Sequence, residues 1–269
     1  MSVLRTGSRG LHTVPDIGLK QGEGIPGLFS AKGVDQAWFE YQNYLLSEIN
    51  SLVETRAELD SVTTLFDLMA SSQLSNDATM RKIAALSSQA YNNEFFFRAL
   101  MPSVNPQAVV GQSSDPKAVD ISNEVLNRPD LMLTGSAEAG RSPLNDLSLI
   151  IDQSFQSLAS MRELLIDRAD KMFGNGSVWL IHHNSALAAT NCYGWASPYS
   201  HEDLYGNREH FLDSDTRLSQ FVPILCLNAW QHTYLHDYGV TGKRDYLKNL
   251  FDCVEWRVVA SRMPQLSRY

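Results

Sequence analysis

Apolar side chains recur every three to four residues along two long stretches near the start of the chain, residues 30–56 and 77–101. This spacing is typical of amphipathic helices. A shorter stretch of the same kind, residues 60–72, lies between them, and Asn76 or Asp77 is placed to cap the second long helix. We therefore predict an N-terminal domain built on a long antiparallel helical hairpin.

The pattern changes in the second half of the chain. A helical pattern over residues 145–171 ends at the turn Gly174-Asn175-Gly176, and apolar runs of strand length follow. Helical spacing returns from Tyr246 to Val258. Short strands among helices predict an α+β domain with a three-stranded antiparallel sheet surrounded by helices. The predicted strands are residues 178–183, 185–191 and 223–228, with a tight turn at Asn184.

Two stretches lack either periodicity. Residues 103–142 are rich in Pro, Ser, Asn, Gly and Asp, which predicts a linker, and residues 196–221 are polar, which predicts a long loop. The histidines and carboxylates of that loop match no standard metal spacing, so a solvated or partner-facing loop is the preferred interpretation. The predicted limits are 16–102 for the helical hairpin domain, 103–143 for the linker and 144–269 for the α+β domain.

The chain of 269 residues has a formal charge of −8. This balance disfavours a protein that wraps nucleic acid over its whole surface. A solvated face is the preferred interpretation of the basic residues near the last helix, and a local contact with nucleic acid is the alternative. These residues are Lys243, Arg244, Lys248, Arg257, Arg262 and Arg268.

No apolar run approaches the ~20 residues that span a bilayer, so we expect no membrane contact. Three scattered cysteines, Cys192, Cys226 and Cys253, favour a reducing compartment over a disulfide framework. Residues 1–15 contain Arg5 and Arg9, serines and no acidic residue, a composition typical of a mitochondrial presequence. An ordinary N-terminal tail is the alternative.

A short motif follows the last predicted strand: Asn228-Ala229-Trp230-Gln231-His232-Thr233-Tyr234. It resembles the segment Asp-x-Trp-Glu-His-x-Tyr of the iron/manganese superoxide dismutases, in which the Asp and the His bind the metal. Three further blocks resemble the same family in the same order, at residues 29–53, 88–102 and 152–181. The resemblance implies the two-domain fold of that family.

The resemblance also places the family's metal ligands. They fall at Ala37, Asn93, Asn228 and His232, and a His-His pair of the first helix falls at Tyr41 and Gln42. Alanine cannot bind a metal, and asparagine lacks the charge that offsets a di- or trivalent cation. We therefore expect no bound metal or other cofactor, no catalytic residues and no enzyme activity. An active metalloenzyme with rearranged ligands is the alternative.

His232 is the one ligand-type residue left at these positions. A lone histidine after a buried strand is more often a hydrogen-bonded core residue than a ligand, and we adopt that interpretation. Asn93 and Asn228 are expected to hydrogen-bond to one another or to His232, because buried polar groups need partners.

A dismutase fold with lost ligands and a presequence is similar to the superoxide-dismutase-like proteins of the fungal mitochondrial ribosome's small subunit. This implies a pseudoenzyme that supports mitochondrial translation as a structural part of a ribonucleoprotein in the mitochondrial matrix. The implied partners are other ribosomal proteins, with limited contact to ribosomal RNA. A free-standing binding protein that reuses the dismutase dimer face is a further alternative.

The partner surface follows from the same resemblance. In active dimers the Trp-Glu-His segment lies at the subunit interface. We therefore predict a heterodimer with a second dismutase-like subunit. The predicted contact residues are Trp230, Gln231, His232, Tyr234 and Tyr238.

Overall fold

The structure is a computed structural model that describes residues 12–73, 75–102, 143–183, 185–200 and 221–264. Its N-terminal part contains the predicted helices, of which the first is interrupted by a π-helical stretch, a form that is rare and often found at functional sites. The elements are α1 (Ala31–Val34), the π-helical stretch Asp35–Glu40, α2 (Tyr41–Val53), α3 (Leu65–Ser72) and α4 (Ala78–Phe97).

Helices α2 and α4 form the predicted antiparallel hairpin. Three cross-links show the direction: Arg56 pairs with Asp77, Lys82 pairs with Glu48, and Gln42 donates to the carbonyl of Ala90. Their inner faces share an apolar cluster with α3 and the turn before it. Asp77 begins α4 as its N-cap, accepting from the backbone N–H groups of Thr79 and Met80, so the predicted cap is confirmed.

The second half forms the predicted α+β domain. Strand β1 lies in the middle of a three-stranded antiparallel sheet, with β2 and β3 on its two sides. Most of the apolar core lies between this sheet and the surrounding helices. The elements are α5 (Pro143–Phe155), α6 (Leu158–Asp170), β1 (Gly176–His183), β2 (Ala186–Tyr193), β3 (Val222–Asn228), α7 (Gln231–Tyr238), α8 (Lys243–Asp252) and α9 (Trp256–Ser261).

Two predicted helices are each divided in the structure. The helix predicted over residues 145–171 breaks at Gln156, which has a φ of 71°, and Ser157 then caps α6 by accepting from the N–H of Ser160. The helix predicted from Tyr246 to Val258 breaks at residues 253–255, whose backbone pairs with residues 99–101. Both breaks come from local or tertiary hydrogen bonds that apolar periodicity does not report.

Several expectations fall on residues outside the described part, namely the linker, the loop histidines and the turn at Asn184. The three cysteines are free and buried. Within the described ranges, the helices include none with both the length and the apolar character needed to cross a bilayer.

Candidate metal centre

The positions of the lost ligands converge at the junction between the hairpin and the sheet. Asn93 lies on α4, Asn228 ends β3, and His232 lies in the first turn of α7. All three line one cavity of about 10 Å³, which is room on the order of a single water molecule. Ala37, in the π-helical stretch, is 1% exposed and reaches this region through its backbone.

Asn93 is held by residues of the π-helical stretch and of α2, and not by Asn228 or His232. Its Nδ2 donates to the carbonyl of Ala37 at 3.2 Å and to Oε1 of Gln42 at 3.1 Å. Gln42 is fully buried and in turn donates to the carbonyl of Ala90. The expected pairing of Asn93 with Asn228 or His232 is therefore wrong, because the side chain from α2 reaches it first.

Asn228 organises the junction between β3 and α7. Its Oδ1 accepts from the N–H of Trp230 at 2.9 Å, an Asx turn that starts the helix. Its own carbonyl accepts from the hydroxyl of Tyr246 at 2.8 Å. The neutral side-chain amide is sufficient for the first contact, and the second uses the backbone carbonyl. Neither contact requires a carboxylate charge.

His232 is packed between aromatic rings. The ring of Tyr41 lies 4.1 Å from it, centroid to centroid, and the ring of Trp230 lies 5.4 Å away. Its Nε2 is buried and has no hydrogen-bond partner among the residues that the structure describes. Burial lowers the pKa of His232 to about 4, so the imidazole is neutral at physiological pH. The predicted hydrogen bond is therefore not found at this nitrogen, and the ring is held by tilted aromatic contacts.

Tyr41 occupies the side of the cavity that α2 faces. Its hydroxyl donates to Oε1 of Gln89 at 2.7 Å, which fixes the ring over His232. Burial, with a smaller contribution from Tyr44, raises the pKa of Tyr41 to about 12, so it stays a neutral phenol. Tyr41 and Gln42 thus fill this region. Their spacing from Ala37 is compatible with this position, but the sequence analysis did not predict it.

The donor set does not fit an iron or manganese ion. Such a site needs several imidazole or carboxylate donors around one point, and His232 is the one such donor at the four positions. The amide protons of Asn93 already point to two oxygens of the hairpin. Across the described ranges, His, Cys, Asp and Glu side chains form no group of three or more that could hold a metal.

The predicted partner residues divide between surface and core. Gln231 is exposed and Trp230 is partly exposed. Tyr234 and Tyr238, by contrast, are 4% and 9% exposed and pack against the ring of Tyr246. These two tyrosines therefore belong to the core, and the exposed part of the predicted contact set on α7 lies at its N-terminal end.

A further exposed residue lies near the N-terminal end of α7, and the sequence analysis did not predict it. Phe173, between α6 and β1, is 94% exposed. Two residues later, Oδ1 of Asn175 accepts from the N–H of Gln231, which joins this turn to the start of α7. An apolar residue immediately before a Gly-Asn-Gly turn was the available signal.

Comparison with known proteins assigns the fold. Residues 143–262 match the family model "Iron/manganese superoxide dismutases, C-terminal domain", which agrees with the α+β fold of this part of the chain. A manganese superoxide dismutase of Buchnera aphidicola is 29% identical over 128 residues, which are 48% of this chain and 57% of that protein.

Two relatives match nearly the whole chain. Small ribosomal subunit protein mS43 of Schizosaccharomyces pombe is 26% identical over 259 residues, which are 94% of this chain and 84% of that protein. Small ribosomal subunit protein mS42 of the same yeast is 25% identical over 242 residues, which are 87% of this chain and 88% of that protein. The resemblance inferred from the four sequence blocks is confirmed.

Proposed function

We propose that this protein is a structural component of the small subunit of the mitochondrial ribosome, located in the matrix, and that it is a pseudoenzyme without dismutase activity. The observation that carries the proposal is the state of the former metal centre. Asn93 is hydrogen-bonded to Gln42, and the ring of His232 packs against the ring of Tyr41. Similarity to two small ribosomal subunit proteins over most of the chain supports the ribosomal role.

Sedimentation tests the ribosomal role. In a mitochondrial lysate of the source organism, the protein should migrate with the small subunit through a sucrose gradient and stay with it after the two subunits are separated. Quantitative mass spectrometry across the gradient provides the measurement. A protein found only in the slow fractions, free of ribosomal proteins, would contradict the proposal.

Metal loading tests the loss of catalysis. Protein refolded with iron or manganese should show no superoxide turnover above that of the free metal, because three of four ligand positions carry no suitable donor. Metal analysis of the purified protein is the independent measurement. Stoichiometric metal, with turnover that disappears in His232→Ala, would establish the rearranged metalloenzyme instead.

The partner is a second dismutase-like subunit in a heterodimer. Phe173 and Trp230 provide exposed apolar surface on the two sides of Asn175. Gln231 stands where the family has a glutamate that meets the other subunit's histidine, and a neutral pair is weaker than a charge-assisted one by roughly a factor of two. A symmetric contact that has lost this pair is free to become complementary to a related, non-identical chain. The existence of two such relatives in one yeast supports this arrangement.

Paired variants test the heterodimer. Phe173→Lys with Gln231→Lys should release the partner, because buried charges without counter-charges are costly at an interface. Val240→Lys is the matched control, since Val240 is 84% exposed and lies beyond the far end of α7. Equal release by both variants, or a symmetric homodimer in the assembly, would contradict this contact.

Protein contacts dominate over contacts with RNA. Arg244 pairs with Asp167 at 2.8 Å and with Asp170 at 3.1 Å. Lys243 donates to the carbonyls that end α6, and Arg262 lies over the ring of Phe95 at 3.5 Å. These three of the six basic residues are engaged within the fold, which supports limited contact with RNA.

A further inference from the structure

The described part of the chain begins at His12, and this N-terminal segment is bound to the hairpin. The backbone N–H of His12 donates to Oδ1 of Asn50 at 2.9 Å, and Nδ2 of Asn50 donates to the carbonyl of His12 at 2.9 Å. One side-chain amide thus satisfies both polar groups of a backbone residue 38 positions away, as a neighbouring strand would. Such a paired contact needs residue 12 to be present and correctly positioned.

Apolar side chains continue the attachment. Val14 packs against both apolar clusters, that of the hairpin and that around the sheet. Ile17 and Leu19 pack against the cluster around the sheet. The side chains of residues 12–19 alternate largely between partly buried and exposed positions, as in an extended segment lying on a surface. We call residues 12–19 the strap.

The strap overlaps the segment whose composition predicts a presequence. Cleavage after residue 15 would remove His12 and Val14, and with them the bonds to Asn50 and the side chain that contacts both clusters. We propose that the strap is a permanent clasp of the mature protein, and that presequence removal therefore ends upstream of His12. The cleavage part rests on the proposed mitochondrial role, whereas the clasp does not.

The first experiment identifies the N-terminus. Protein isolated from mitochondria is digested, and its N-terminal peptide is identified by mass spectrometry after chemical labelling of free amines. The expected peptide begins within residues 3–12. A mature protein that begins after residue 12, and still sediments with the ribosome, overturns the inference while leaving the proposed function intact. An uncleaved N-terminus, beginning at residue 1 or 2, overturns the cleavage part of the inference and leaves the clasp to the second experiment.

The second experiment measures the clasp in purified protein. A chain starting at residue 12 should keep the thermal midpoint of the full chain, whereas a chain starting at residue 20 should melt roughly 5 °C lower or more. Asn50→Ala should lower the midpoint of the full chain by about 2–4 °C. Asn43→Ala, at an exposed position of the same helix, is the matched control and should leave the midpoint unchanged.

The two changes are then combined. In the chain starting at residue 20, Asn50→Ala should have no destabilising effect, because its partner is already gone and alanine is the better helix former. An equal loss in the long and short chains would show that Asn50 acts only within its own helix. That result, or unchanged melting of the chain from residue 20, overturns the clasp.

Discussion

The two sides of helix α7 differ in how completely their polar groups are used. On one side, His232 faces the former metal centre with a buried Nε2 that lacks a partner within the described residues. On the other, Tyr234 and Tyr238 pack against Tyr246, and the hydroxyls of Tyr238 and Tyr246 donate to the carbonyls of Leu28 and Asn228. One side of α7 thus leaves a buried ring nitrogen without a partner within the described residues, while the aromatic cluster on the other side is hydrogen-bonded.

This difference indicates what stabilises the fold. The aromatic cluster joins α7, α8 and the segment before α1. It meets the four ligand positions only through the backbone carbonyl of Asn228, which accepts from Tyr246, so its packing does not depend on the side chains at those positions. We therefore expect substitutions in the cluster to cost far more stability than changes at the former metal centre.

The largest effect is expected from Tyr246→Ala. Tyr246 is fully buried, and large aromatic-to-alanine changes in a core cost about 3–5 kcal/mol of the free energy of unfolding. Urea denaturation followed by far-UV circular dichroism measures the loss. Tyr44→Ala, at a tyrosine that is 56% exposed, is the control and should be nearly neutral. Similar losses in the two variants would remove the contrast between cluster and surface.

The next effect is a pH dependence from His232. Burial lowers its pKa from 6.5 to about 4 in the folded protein, so the unfolded state binds the proton first as pH falls. The stability due to the neutral imidazole is complete above pH 6.5 and is lost towards pH 4, by up to about 3 kcal/mol. Tyr41, the titratable ring against it, stays neutral throughout this range because its pKa is raised to about 12.

His232→Phe keeps an aromatic ring against Tyr41 but cannot titrate. The difference in unfolding free energy between this variant and the parent protein should therefore change between pH 7 and pH 4.5, in favour of the variant at the lower pH. His236→Phe, at an exposed histidine of the same helix, is the control. A pH profile that His232→Phe leaves parallel to the parent would show that His232 is accessible to protons in the folded state.

A smaller effect is expected at Asn93. Asn93→Leu removes two hydrogen bonds and leaves the carbonyl of Ala37 and Oε1 of Gln42 without this donor. Buried acceptors without donors cost about 1–3 kcal/mol, and we expect a loss of about 2 kcal/mol. A double-mutant cycle with Gln42→Leu should give a coupling of about 1 kcal/mol. Zero coupling would mean that the amide pair does not hold the hairpin at this point.

The smallest expected effect is that of a chelator. Because the donor set does not fit a metal, no metal binding energy is linked to folding, and a strong chelator should leave the thermal midpoint unchanged. Differential scanning calorimetry with and without EDTA makes the measurement. A drop of several degrees would reveal a bound metal and reverse the interpretation of the centre.

Local and periodic features were readable from the sequence. Apolar spacing located the hairpin and the strands. The sequence also indicated an N-cap at Asn76 or Asp77, and the motif from Asn228 to Tyr234 indicated the fold. Helix and strand periods depend on residues that are close in the sequence. They can therefore be recognised without knowing which other residues those side chains contact. The expectation that no metal binds comes from the same kind of information, since it depends on which residue types occupy the ligand positions that the resemblance implies.

Only the tertiary structure decided which residues contact each other. In the structure, the amide of Asn93 donates to Gln42, and His12 pairs with Asn50. Tyr234 and Tyr238 lie in the core, whereas Phe173 is exposed. Each of these choices is made among several chemically suitable partners, and the choice depends on which side chain the packing of distant elements brings nearest. Burial and hydrogen-bond pairing at these sites are therefore properties of the assembled fold, and the local sequence does not contain them.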